Sequence, residues 1–420
     1  MIQSAEEKIQ NKVLYAQAVF GDEEKKAVLE SMENGWLAAG PLVKQFEEEI
    51  AALFGKKYGI AVNSGSSANL LAIRALKIPP GSEVITPACT FATTVSEIIN
   101  NGLIPVFVDS VVGRYTIDEY LVKQAISDKT KAILVPQLIG GICDMPKLRK
   151  LADEHGLWLI DDSCDTLAPH IGGKTVASYA DVTTTSFYGS HIITALGMGG
   201  MVLTDNETIR DRLVTLKDWG RVGNDKEAFD NRFNFEIDGI PYDAKFLYSE
   251  LGYNLKMNEA AAAFGLEQLK RLPEFIQLRK RNHQLLSDYF EHVTCCFMPP
   301  YTLEDVDTNW LAYPLTIRPA APFSRYDLLK HLESNGIQVR VIFSGNITRH
   351  PVYKENGFPW RAASELENAD LIMANGFLVG CHQGLSIEDV QYIIDVTDEF
   401  MKGVHESNED LTHGGEWSTR

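Results

Sequence analysis

Tyr58-Gly59-Ile60-Ala61-Val62-Asn63-Ser64-Gly65-Ser66-Ser67-Ala68-Asn69 begins as a short apolar strand, turns through small polar residues and enters a helical pattern spanning 67–76. Six further apolar runs, 83–87, 104–109, 131–138, 157–161, 181–187 and 201–204, read as strands, with helical stretches such as 117–126 and 145–155 between them. Crossovers between parallel strands need about a dozen residues or more, so this alternation predicts a mostly parallel seven-stranded sheet between helices. Ligands of such sheets sit beyond the carboxyl ends of the strands, which makes the turn after Val62 a candidate site.

The pattern changes after Asn258. Stretches 259–272 and 274–289 read as helix broken near Pro273, followed by strands 311–318 and 339–343 and helices 326–335 and 387–401, which suit a smaller C-terminal α/β domain. The expected division is a large domain with its N-terminal segment over 1–262, a small domain over 263–405, and a mobile polar tail over 406–420. No internal repeat is visible.

With 420 residues, 45% hydrophobic and 23% charged, the chain can bury a sizeable core. A net charge of −18 disfavours nucleic acid and anionic membranes as partners. Residues 1–17 are mixed and polar, and no run of about 18 apolar residues occurs, so a cytoplasmic protein is expected. Cys89, Cys143, Cys164, Cys295, Cys296 and Cys381 are scattered without a CxxC pair, which predicts reduced thiols and no metal centre.

Three stretches can carry chemistry. The serine-rich turn at Asn63–Asn69 offers backbone N–H groups and hydroxyls to a phosphate at a helix N-terminus; its other reading is a plain serine cap. Asp161-Asp162 ends a buried strand, where an anion needs a cation or several donors, with Asp165 three residues further; helix capping is the alternative. Ser186-Phe187-Tyr188-Gly189-Ser190-His191, followed by Gly197-Met198-Gly199-Gly200, sets hydroxyls and an imidazole on a turn, and a histidine there is either a proton carrier or a satisfied loop residue.

In order along the chain, Gly35-Trp36-Leu37, Gly40-Pro41, Phe46-Glu47, Ser64-Gly65-Ser66, Pro105-Val106-Phe107-Val108-Asp109, Asp161-Asp162 and Gly252-Tyr253-Asn254 resemble the sugar aminotransferase and dehydratase family of fold-type I pyridoxal phosphate enzymes. The resemblance covers almost the whole chain. It implies that Ser66, Ser67 and Ser186 hold the cofactor phosphate, with Asn254 reaching in from a second subunit of a homodimer with shared active sites. It also implies that Phe91 stacks on the cofactor ring, that Asp162 pairs with the pyridine nitrogen, and that Asp165 contacts the ring hydroxyl.

The departure from the family lies at His191, where ordinary members carry the lysine that links the cofactor covalently. An imidazole has no primary amine, and no lysine occurs between Lys174 and Lys217. The resemblance then implies noncovalent pyridoxamine or pyridoxal phosphate. Branches with histidine here remove the carbon 3 hydroxyl of nucleotide-linked 4-keto-6-deoxysugars, in 3,6-dideoxysugar biosynthesis, one with a [2Fe–2S] cluster and one without. Wording such as Asp218-Trp219-Gly220-Arg221 and Gly345-Asn346-Ile347-Thr348-Arg349 leans to the cluster branch, yet no cysteine lies between Val222 and Tyr253 and only Cys164 matches a ligand position.

The expectation is therefore a cluster-free dehydratase in which His191 moves the protons and L-glutamate restores the amine cofactor. Its substrate is a GDP- or CDP-linked keto-sugar, for which Trp219, Arg221, Arg349 and His350 are candidate contacts. The rivals are a reductase-coupled cluster enzyme, a sugar aminotransferase, and a non-catalytic cofactor-binding relative.

Overall fold

The computed structural model describes residues 13–222 and 228–409. Its main sheet runs in the order Tyr58–Val62, Gly200–Thr204, Val182–Ser186, Trp158–Asp162, Thr130–Pro136, Glu83–Pro87, Ile104–Val108. Gly200–Thr204 is antiparallel to both neighbours and the other pairs are parallel. Each strand buries both faces. Ile60, Val62, Val84, Ala132, Leu134, Ile160, Val182 and Val202 join one core, whereas Ile85, Val106, Val108, Ile133, Val135 and Leu159 join another. That two-sided burial is why the strands read as continuous apolar runs rather than alternating ones.

An eighth strand, Arg361–Ala362, corrects the expected seven: it pairs in parallel with Ile104–Val108 at the sheet edge. The Arg361 guanidinium holds it there, donating to both oxygens of Glu83 at 2.9 and 2.6 Å and to the Ala125 carbonyl at 2.6 Å. A two-residue strand fixed by one ion pair leaves no periodic trace in sequence.

The expected break near Pro273 is absent, since a single helix runs Glu259–Phe290 with Pro273 inside it. An interior proline forfeits one backbone hydrogen bond and costs about 3 kcal/mol. Packing offsets this, because Leu272 and Phe275 flank the proline in one core and Leu286 and Phe290 enter the C-terminal core. That core also holds an antiparallel sheet ordered Phe297–Met298, Tyr313–Ile317, Gly376–Val379, Arg340–Val341. Helix Ile387–Glu409 continues through the start of the segment expected to be a tail; residues 410–420 lie outside those described. No helix among the described residues is long and apolar enough to cross a membrane.

Candidate active site

The parallel strands end on one edge of the sheet, and register decides what meets there. Val62 and Ser186 both face Gly200, while Asp162 pairs with Thr184 and Pro136. Helix Gly65–Ala75 starts beside this row, capped by Ser64, whose hydroxyl accepts from the Ser67 N–H at 3.1 Å. The remaining first-turn N–H groups have no helical partner. They open on a cavity of about 620 Å³ whose wall includes Ser64, Gly65, Ser66, Ser186, Asp162, Asp165, Phe91 and His191. Two hydroxyls, Ser66 and Ser186, and a helix N-terminus make one end an anion cradle.

Close approach dictates the glycines. A Cβ on Gly200 would lie 2.3 Å from the Ser64 carbonyl oxygen and 2.6 Å from the Gly65 nitrogen. Gly200→Ala must therefore push the cradle away from the sheet, and is expected to lower stability by about 1–3 kcal/mol, read by denaturant unfolding, and to weaken phosphate binding in the same protein.

At the other end lies Asp162, 4% exposed, accepting from the Asn69 amide and the Thr94 hydroxyl at 2.8 Å each. The Cys164 N–H at 3.3 Å completes its shell, and the Thr184 hydroxyl, 3.5 Å away, gives its hydrogen to Asn69 Oδ1 at 2.6 Å. Asp161 points to the opposite face of the strand, bonded to Gln137 at 2.9 Å and Ser163 at 3.0 and 2.9 Å. Of the adjacent pair, only Asp162 lines the cavity. Burial raises the Asp161 carboxyl to about 6 and that of Asp165, with the Asp162 charge beside it, to about 7.

His191 is half buried in the cavity wall, its ring 5.9 Å from that of Tyr188. Its Nδ1 lies 3.2 Å from the Ser186 carbonyl oxygen, which can only accept, so Nδ1 carries the hydrogen and Nε2 keeps a free lone pair. Burial, aided by the nearby Arg279 cation and opposed by the Ser186 bond, lowers the imidazole from 6.5 to about 4. The ring is therefore neutral throughout the physiological range. Among the described residues, no lysine lines the cavity.

The structure thus gathers Ser66, Phe91, Asp162, Asp165, Ser186 and His191 and leaves the other expected residues outside. Ser67 turns its hydroxyl back to Asn63 Oδ1 at 2.7 Å because the cap geometry claims it. Asn254 is exposed, in a bridge with Asp218. Trp219 is stacked under the Arg221 guanidinium at 4.5 Å and the Lys256 ammonium at 3.3 Å, on the surface. Arg349 is taken up by Asp370, with Nε to Oδ1 at 2.9 Å, and His350 Nε2 donates to the Ser344 carbonyl at 2.8 Å.

Sequence reasoning missed Asn69, which lay unassigned inside the serine-rich stretch already singled out, and Thr94, three residues after Phe91. It also missed Tyr15, Arg340 and Phe343, which reach the cavity from distant parts of the chain. Phe343, at φ 36°, sets its ring edge-on to Phe91 at 5.6 Å, a strained position of the kind found at ligand clamps.

An anion cradle, an aromatic wall and a buried carboxylate at the far end suit a phosphorylated aromatic cation. The comparisons agree with that chemistry: residues 19–397 match one family across most of the chain. The chain belongs to the DegT/DnrJ/EryC1/StrS aminotransferase family. Within this family it is 37% identical to the lipopolysaccharide biosynthesis protein RfbH of Salmonella typhimurium, over 91% of this chain and 90% of that one. It is 35% identical to the dTDP-4-dehydro-2,6-dideoxy-D-glucose 3-dehydratase of Saccharopolyspora spinosa, over 91% and 85%. Its fold superposes on the E. coli GDP-4-keto-6-deoxy-D-mannose-3-dehydratase with bound hydrated PLP at a TM-score of 0.85 and 28% identity, covering 92% of this chain and all of that one. The likeness bears out both the mostly parallel α/β fold expected from the strand pattern and the fold-type I membership that the resemblance implied.

Proposed function

We propose that the chain is a pyridoxamine-phosphate-dependent 3-dehydratase of a nucleotide-linked 4-keto-6-deoxysugar, working without an iron–sulfur cluster and recharged by L-glutamate. The observation that carries the reading is the imidazole of His191, with a free Nε2, on the wall of a cavity that no lysine among the described residues lines. The absence of cysteine between Val222 and Tyr253 supports the cluster-free form.

Ser66, Ser186 and the N–H groups of the first turn of helix Gly65–Ala75 hold the phosphate, and Phe91 covers the ring. When bound, the cofactor supplies a primary amine for the sugar ketone and a protonated ring that draws electrons. Asp162 provides the anion that keeps the ring nitrogen protonated. His191 Nε2 would take a proton from the methylene carbon beside that amine and return it to the departing carbon 3 hydroxyl, while Phe91 and Phe343 would restrict water. Exposed Asn254 and Leu251 suit contact with a second copy, which makes a homodimer with shared sites part of the proposal.

The test is mass spectrometry of a panel of GDP-, CDP- and dTDP-linked 4-keto-sugars after incubation with enzyme, pyridoxamine phosphate and glutamate. Loss of the carbon 3 oxygen with release of ammonia and no added reductase is expected. Transfer of the amino group to the sugar, or strict dependence on a reductase, would overturn the assignment. His191→Lys, which places an amine on the wall, is expected to lose deoxygenation.

A further inference from the structure

His191 sits on a turn that bonds mostly to itself. The His191 N–H meets the Tyr188 carbonyl at 2.9 Å, the Thr194 hydroxyl the Phe187 carbonyl at 2.9 Å, and the Gly189 N–H the Gly197 carbonyl at 3.0 Å. Ile192 and Ile193, 2% and 1% exposed, anchor the turn in a core, but apolar contact is non-directional and does not by itself fix the tilt of the imidazole. Among the described residues, a single hydrogen bond reaches 188–197 from another part of the fold: Gln383 Nε2 donates to the Ile192 carbonyl at 3.1 Å.

Gln383 is buried just after strand Gly376–Val379, in a turn clamped from two sides. His382 Nε2 donates to the Leu14 carbonyl at 3.1 Å and its Nδ1 accepts from the Gly384 N–H at 3.2 Å. From helix Glu259–Phe290, Asn282 and Arg281 donate to the carbonyls of His382 and Leu385, each at 2.9 Å. The Ile192 carbonyl can only accept, so the amide turns Nε2 towards it, and Oε1 is left buried with no partner among the described residues. An apolar side chain here would remove that orphan and create another, the Ile192 carbonyl. The glutamine thus moves the unpaired acceptor from the backbone beside His191 to its own side chain, which favours the turn more than overall stability.

We propose that Gln383 is a positioning residue for His191: its bond to the Ile192 carbonyl sets the height and tilt at which the imidazole meets the cavity. The sheet that brings Arg340 to the cavity mouth thereby also fixes the histidine on the opposite wall. This rests on His191 being the proton carrier proposed above. Proton transfer to or from carbon demands a closely aligned lone pair, and a misplacement of about 1 Å costs on the order of 10²-fold in rate. Gln383 itself touches neither substrate nor cofactor and moves no proton.

The experiment compares wild type with two variants, all loaded with pyridoxamine phosphate. In Gln383→Leu, amide hydrogen exchange over 188–195 is expected to quicken by about tenfold or more, while strands Trp158–Asp162 and Thr130–Pro136 stay protected. The same variant should lose about 10–100-fold in kcat for deoxygenation, with KM and cofactor affinity within a few-fold of wild type. Gln383→Glu keeps the shape and makes the donor depend on pH, since its acid form can give a hydrogen to the carbonyl and its ionised form cannot. That donor is present below the carboxyl's pKa and lost above it. The ratio of variant to wild-type kcat should therefore rise as pH falls from about 8 to about 5, and exchange over 188–195 should slow in step.

Wild-type exchange over 188–195 in Gln383→Leu, a kcat loss matched by an equal loss of cofactor affinity, or a Gln383→Glu ratio flat with pH would overturn the proposal. Should Gln383→Leu fail to fold, the Gln383→Glu series decides within a single protein. Failure of the dehydratase reading has a different signature: wild type deoxygenates no sugar, while the exchange comparison still supports or overturns the hold of Gln383 on the turn.

Discussion

His191→Asn is expected to slow carbon 3 deoxygenation by about 10²–10⁴-fold while pyridoxamine phosphate still binds within a few-fold of wild type. The asparagine amide can keep the bond to the Ser186 carbonyl that positions Nδ1 in the native ring, so the wall should hold its shape. What disappears is the lone pair on Nε2, and with it the only imidazole lining the cavity among the described residues. The split between kcat and binding is the informative readout. A defect confined to cofactor affinity would make His191 a wall residue rather than a proton carrier.

The pH profile supplies an independent check on the same group. Because burial holds the imidazole at about 4, its basic form exists above that value, and kcat/KM of cofactor-loaded enzyme should stay level from pH 8 down to about 5. An acid limb near 6.5, the value of a solvated histidine, would show that the ring is not buried in the working enzyme.

How much of this was legible before the structure follows from how each feature is encoded. The seven main strands were, because strands covered on both faces must be apolar along their whole length. His191 and the carboxylates were too, because each ends or follows such a strand and so falls at its carboxyl end. Helix Glu259–Phe290 was read as two pieces, since a proline's local cost is visible in sequence whereas the two cores that Leu272, Phe275, Leu286 and Phe290 enter are not. Tyr15 and Arg340 were invisible for the same reason. The segment holding Tyr15 is carried to the cavity by a bridge between Val13 and Ile337 and by the Tyr15 N–H bond to Gln338 at 3.1 Å, contacts made more than 300 positions apart in the chain. Ser67 was expected at the phosphate because the resemblance carries that role to its position; the cap instead turns its hydroxyl to Asn63, and sequence does not show which hydroxyl a cap claims.

Asp162→Asn should produce the second large loss, on the order of 10²–10³-fold in kcat, the scale associated with removing one preorganised electrostatic contact. The substitution is nearly isosteric, and Asn69 and Thr94 can still donate to the remaining oxygen. The new amide nitrogen then faces the Cys164 N–H, a donor against a donor, which costs about 1–3 kcal/mol of stability, so the protein should fold and unfold at a modestly lower midpoint. Without the anion a bound ring nitrogen has no reason to keep its proton, and the absorbance of the bound cofactor should shift along with the rate. Asp161→Asn is the control. Its carboxyl lies one position away on the opposite face of the same strand, bonded to Gln137 and Ser163, and does not line the cavity. If both variants lost activity equally, general damage to the strand end would explain the loss. If only Asp162→Asn did, with the spectral shift, the charge at that one face of the strand is what the ring requires.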